Sequence, residues 1–201
     1  MVGRWRGPAT CLLLCDPTVF ALGHLGLGKR LAARPFRRFS AGERRAFFLG
    51  ALLPDLIDKP LFYIPFWLTA GRSAKGALSG THLFAHTAVF LLALVLVALI
   101  RRSPVLRAVA IGVTTHFLLD CVGLSMGLGT LLWPFLGWRF PAYPFKGLGH
   151  HLTTILNPVT LAGELAGAAV LLWDYQRQRG KISRRCSAAR EIGNSAQTGA
   201  K

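Results

Sequence analysis

Asp55 and Asp58 stand three residues apart, His82 and His86 four apart, and His116 and Asp120 four apart. On an α-helix each of these spacings puts both side chains on one face. Imidazole with carboxylate, and no paired thiolates, is a donor set suited to zinc, manganese or iron(II). The setting makes the pattern informative. The chain has only eight acidic residues, and four of them, Asp55, Asp58, Asp120 and Glu164, fall inside long apolar runs. An unpaired charge there costs at least ~2.5–3.5 kcal/mol on an insertion scale, so these groups need partners. A divalent cation among them would neutralise carboxylates that could not otherwise stay charged.

The elements that must carry these residues are membrane helices. Of 201 residues, 52% are hydrophobic and 16% charged, with a mean hydropathy of +0.43, whereas a soluble domain is nearer a quarter charged. The net charge of +16 would suit a nucleic-acid binder, but the basic residues come in blocks between apolar runs with few aromatics among them, so no specific nucleic acid is expected. Apolar runs flanked towards the ~20 residues a crossing needs suggest an all-α, polytopic transmembrane bundle. We read five spans, at roughly 9–28, 46–70, 83–100, 105–122 and 155–173, as the membrane domain 1–175. A basic, disordered tail is expected over 176–201. Segments 29–45 and 101–107 and the tail hold 17 of the 24 basic residues, which places all three in the cytoplasm. Arg4 and Arg6 run against this scheme, because five crossings put the N-terminus outside.

Depth follows from the ~1.5 Å rise per residue. Counted from Arg45, Arg107 and Arg101, residues Asp55, Asp58, His116, Asp120 and His86 all lie ~14–22 Å deep, with His82 ~6 Å further out. Pro54 and Pro60 flank the two aspartates and predict a broken second span, tolerated only where backbone faces protein or a wet cavity. Lys59 is positioned to pair with a carboxylate or to reach outward. Glu164 is a candidate proton acceptor or supporting carboxylate, His150 and His151 read as surface histidines, and Cys121 as buried packing. The four cysteines imply neither a disulfide framework nor a thiolate metal site.

Gly23-His24, Leu52-Leu53-Pro54-Asp55-Leu56-Ile57-Asp58, the Gly80 to Thr87 stretch, Thr115-His116-Phe117-Leu118-Leu119-Asp120 and the Leu131 to Phe140 stretch occur in order over residues 22–145. In this the chain resembles the membrane-bound metal-dependent hydrolases, the YdjM-like proteins of the bacterial inner membrane. The resemblance implies a helical membrane protein with His24, Asp55, Asp58, His86, His116 and Asp120 as metal ligands. It also implies hydrolase activity. The chain departs from the family pattern at His82-Leu83-Phe84-Ala85-His86, one spacer short and without arginine, and in the wider spacing of Asp55 and Asp58. His24 divides the two arguments, because depth counting leaves it ~7 Å from the basic edge at Lys29, away from the other ligands.

The function expected is a metal-dependent hydrolase of the bacterial inner membrane, with zinc or manganese activating water against a lipid ester or phosphodiester. Asp55, Asp58 or Glu164 would serve as general base. The partners expected are membrane lipids and a lipid-like substrate. The alternatives are a metal or ion transporter and a scaffold with a structural metal.

Overall fold

The computed structural model describes residues 21–68, 82–122, 126–140 and 156–198. Most of the expected first span, together with His150 and His151, lies outside them. The described residues form α1 (Ala21–Leu31), α2 (Ala33–Arg38), α3 (Ala41–Leu68), a 3-10 turn (Phe84–His86), α4 (Ala88–Ile100), α5 (Pro104–Val122), the short α6 (Leu128–Leu131) and α7 (Pro158–Thr198). The all-α expectation holds, and no strand occurs among these residues.

Local sequence signals explain the helix starts. Ser40 and Glu43 form a reciprocal cap at the head of α3: the Glu43 N–H donates to Ser40 Oγ at 3.3 Å and the Ser40 N–H to Glu43 Oε2 at 2.8 Å, the S-x-x-E pattern that satisfies two orphan donors. Thr87 caps α4 by accepting from the Phe90 N–H at 3.1 Å, while its hydroxyl donates to the Phe84 carbonyl at 2.8 Å. This cap changes one expectation. The third apolar segment becomes helical only at Ala88, so His82 and His86 share no helix face and are brought together by the turn that precedes it.

The second span also differs from its expected form. Pro54, Pro60 and Pro65 all lie inside the continuous helix α3, so the proline break does not occur. Each proline removes one N–H and crowds the preceding turn. Pro54 is fully buried, and packing against α5, the most extensive helix contact among the described residues, holds the helix together.

Glycines set how closely the helices approach. A Cβ on Gly50 of α3 would collide with the Val109 backbone, and one on Gly112 of α5 with the backbone of Phe47 and Ala51. Gly26 of α1 and Gly167 of α7 meet in the same way, each against the other helix's backbone. Small residues that permit backbone contact are what drives helix association where no hydrophobic effect separates helix from solvent. A core of Phe36, Phe47, Val109, Val113 and Phe117 fills the basic end of the bundle.

One described helix, α5, is long and apolar enough to cross a membrane; α4 is apolar throughout but has 13 residues, about 20 Å. The outer face of α4 presents Leu92, Leu96, Leu99 and Ile100, each about half exposed or more. Cys121 is exposed as well, not buried, because one residue beyond Asp120 the helix has turned its side chain away from the core. Where the tail was expected to be disordered, α7 continues as helix to Thr198.

Candidate metal centre

Four elements converge on one buried point. From α1 comes His24, from α3 Asp55 and Asp58, from the 3-10 turn His86, and from α5 His116 and Asp120. His24, Asp58, His86, His116 and Asp120 are all buried, and Asp55 lies partly open. The sequence spacing on α5 works as expected: His116 Nε2 and Asp120 Oδ2, one turn apart, are separated by 3.2 Å.

The two central imidazoles are held by their outer nitrogens. His86 Nδ1 lies 2.7 Å from Asp58 Oδ2, and His116 Nδ1 lies 2.8 Å from the Ala51 carbonyl oxygen. Both partners are acceptors, so each ring carries its proton on Nδ1 and turns the lone pair of Nε2 inward. The consequence is a conflict: the two Nε2 atoms face each other at 3.2 Å. With both rings neutral, two lone pairs at that distance repel, and either a metal cation or a proton shared between the nitrogens relieves it. Around the pair stand Asp55 Oδ1 at 3.6 Å and Asp120 Oδ2 at 3.7 Å from His86 Nε2.

His24 joins this group. Its ring stacks on His116 with centroids 3.9 Å apart, and its Nε2 lies 3.5 Å from Asp120 Oδ1. Depth counting misled because it took Lys29 and Arg107 as anchors at one level. Gly28 lies against Thr115, eight residues along α5 from Arg107, so the Gly28 backbone sits about 12 Å deeper than Arg107, while the Lys29 side chain reaches back to Phe36 at the basic end. His82 flanks the site, its ring perpendicular to His86 at 4.5 Å. Three overlapping sets therefore have ligand atoms within 4.8 Å of one another: His24, His116 and Asp120; Asp55, His86 and His116; His82, His86 and Asp120.

Asp58 takes a different position from the other carboxylates. It lies behind His86, where Oδ2 also accepts the Leu83 N–H at 2.7 Å and Oδ1 the Ala85 N–H at 3.0 Å. Its oxygens are thus spent on the turn and on the outer nitrogen of the ring. The Ala51 carbonyl went unseen in the sequence, because no residue type marks a backbone acceptor; the carbonyl that Pro54 frees is that of Gly50, one residue earlier. Lys59 donates to Asp55 Oδ2 at 2.5 Å, the i,i+4 pair that the sequence allowed. Glu164 is far from the cluster in its bonding. It accepts the N–H groups of Leu22 and Gly23 at 3.1 and 2.8 Å, a carboxylate on the first turn of α1 where unpaired donors and the helix dipole favour it.

The charges count in the same direction as the geometry. With neutral imidazoles, Asp55, Asp58 and Asp120 against Lys59 leave two formal negative charges in the buried cluster. One divalent cation cancels them. His24 Nδ1, buried and with no hydrogen-bond partner among the described residues, adds a further unused donor atom beside the site. These residues fit a metal.

The family profile described as YdjM inner membrane protein matches residues 20–181. The chain belongs to the YdjM family. No curated protein matches it, and no solved structure does. The matched region contains every residue of the YdjM chain's cluster, from His24 to Asp120, and ends within α7.

Proposed function

We propose that this YdjM protein is a five-span, multi-pass inner-membrane hydrolase that depends on a divalent metal held by His24, His86, His116 and Asp120, with Asp55 beside it and His82 at its rim. The observation that supports this most is the pair of inward-facing Nε2 atoms 3.2 Å apart, each ring fixed from behind. Outer partners of that kind, a carboxylate on one imidazole and a backbone carbonyl on the other, orient metal-ligating histidines and raise their basicity. Nitrogen and carboxylate donors suit zinc or manganese. When bound, such an ion polarises a carbonyl or phosphoryl oxygen and makes a nearby water more acidic.

The residues of the chain divide the remaining work. Asp55 is the partly exposed carboxylate of the three, and in this reading it accepts the proton of the attacking water. Lys59, already donating to Asp55 Oδ2, supplies the positive charge beside the reacting groups. Asp58 holds the His86 ring, and the apolar helices around the cluster exclude bulk water, which strengthens every charge interaction within it. A site enclosed by α3, α5 and a turn, with apolar outer faces, suits a substrate that arrives from the lipid phase, and we infer a lipid ester or phosphodiester.

The test is elemental analysis of detergent-purified protein after metal-replete expression, followed by assays on lipid esters and phosphodiesters with the metal removed and restored. About one metal ion per chain and turnover that returns with the metal support the reading. Absence of stoichiometric metal would overturn it, whereas bound metal without turnover and with ion flux into vesicles would replace the enzyme with a transporter.

A further inference from the structure

A second polar site lies at the basic end of the bundle, where α1, α2, the start of α3 and α7 enclose a cavity of about 400 Å³. Its wall is arranged by one carboxylate. Asp174 pairs with Lys29 Nζ at 2.6 Å and with Arg30 Nη2 at 3.2 Å, which ties α7 to α1 and uses up that acid. Arg37, Arg44 and Arg177 also line the cavity, and none of them forms an ion pair among the described residues. The cavity therefore contains five cationic side chains and a single carboxylate, and that carboxylate is doubly paired. The floor is Phe36, with Lys29 Nζ 5.2 Å and the Arg44 guanidinium 5.7 Å from its ring centre. These contacts hold two of the cations in place without neutralising them.

We propose that this cavity binds the phosphate of an anionic membrane phospholipid, with Arg37, Arg44 and Arg177 on the phosphate oxygens. Guanidinium groups suit the task because their planar fork matches two oxygens of a phosphate at once. The lipid source is argued from what flanks the cavity. Arg177 lies over Trp173 at 5.1 Å and Arg179 over Tyr175 at 5.5 Å, and both rings are about half exposed. Exposed Trp and Tyr beside a basic segment mark the headgroup level of a bilayer, where anionic lipid attracts clustered Lys and Arg. This site is independent of the metal centre and of the hydrolase reading.

The experiment uses the full chain in detergent after delipidation, with native mass spectrometry counting bound phosphatidylglycerol, phosphatidylcholine and inorganic phosphate. Three variants accompany the wild type: Arg37→Gln with Arg177→Gln, the charge-preserving Arg37→Lys with Arg177→Lys, and Arg101→Gln with Arg102→Gln, which removes the same charge from another basic segment. The expected result is about one phosphatidylglycerol per wild-type chain, bound at least fivefold more tightly than phosphatidylcholine. The glutamine pair at 37 and 177 should lose at least fivefold in affinity, the lysine pair should lose less, and the pair at 101 and 102 should match the wild type. Equal losses in both glutamine pairs would reduce the effect to net charge and overturn the site. Binding of inorganic phosphate with no preference for either lipid would overturn the lipid assignment.

Discussion

Asp58 and Asp120 are both buried aspartates beside His86, yet their substitution should have different consequences. Asp120 faces the imidazole Nε2 atoms, so Asp120→Ala should abolish most metal retention, measured as bound metal per chain after purification. Chelation should lower the unfolding temperature of the wild type but leave Asp120→Ala almost unmoved, because a ligand stabilises only the state that binds it. Asp58→Asn leaves one acceptor oxygen where the carboxylate offers two to the Leu83 and Ala85 N–H groups and to His86 Nδ1, so it should loosen the turn and weaken the hold on the His86 ring. We expect metal affinity about 10–100-fold lower, the usual cost of losing an outer partner, read by competition with a coloured chelator. An Asp58→Asn variant with unchanged affinity would remove its orienting role. The sequence could identify these residues because carboxylates are expensive in apolar runs. It could not say on which side of an imidazole a carboxylate stands, and that is what separates Asp58 from Asp55. Glu164 shows the same limit: the cost of burying it demanded a partner, and the N–H groups of Leu22 and Gly23 meet that demand as well as a metal would.

At the scale of helices, close contact through glycine positions the ligands. Gly112 lies one turn before His116 and touches the turn of α3 that contains Ala51, so a larger residue there pushes His116 away from its carbonyl. Gly112→Val should destabilise the protein by at least ~1–3 kcal/mol, as overpacking does, and lower metal retention along with it. Gly163 on α7 has open space where a Cβ would go, and Gly163→Ala should leave stability unchanged or raise it by up to ~1 kcal/mol. Thermal unfolding in detergent compares the two. Asp174 gives a pH test of the α1 to α7 contact. Partial burial works against its charge, but the hydrogen bond and charge of Lys29, with Arg30 and Arg177, hold its carboxyl below the usual range. A depressed folded value means that the stabilisation is complete above the unfolded carboxyl pKa of about 3.9 and is lost as pH falls through the folded one. Asp174→Asn should therefore be less stable than wild type at neutral pH and should converge with it in strong acid. Helix identity was legible from apolar runs. The late start of α4 and the intact α3 were not, since both depend on contacts distant in sequence: Asp58 gathering the turn at residues 83–86, and α5 supporting α3 past its prolines.

For the whole molecule, the basic segments 29–45 and 101–107 and the C-terminal part of α7 should all face the cytoplasm under the five-span reading. A membrane-impermeant thiol reagent applied to intact cells should then miss Cys186, and efficient labelling would reverse the orientation. Charge blocks carry this expected plan, because they survive any error in the length of a single span. The depth of His24 was not readable, because it depends on Gly28 resting against Thr115, a contact distant in sequence.

The continuity of α7 has a mechanical consequence. Its 41 residues make a rod about 60 Å long, twice the thickness of the hydrocarbon layer. The rod is clamped in its N-terminal half, by Gly167 against α1 and by Asp174 on Lys29. Beyond the clamp the helix runs on for some 24 residues, about 36 Å. Its direction is fixed at the clamp, so a small rotation between α1 and α7 at the depth of Lys29 would swing its far end through many ångströms. Whatever the basic arm touches would feel a change in the tilt of a helix that also bears on the site of His24.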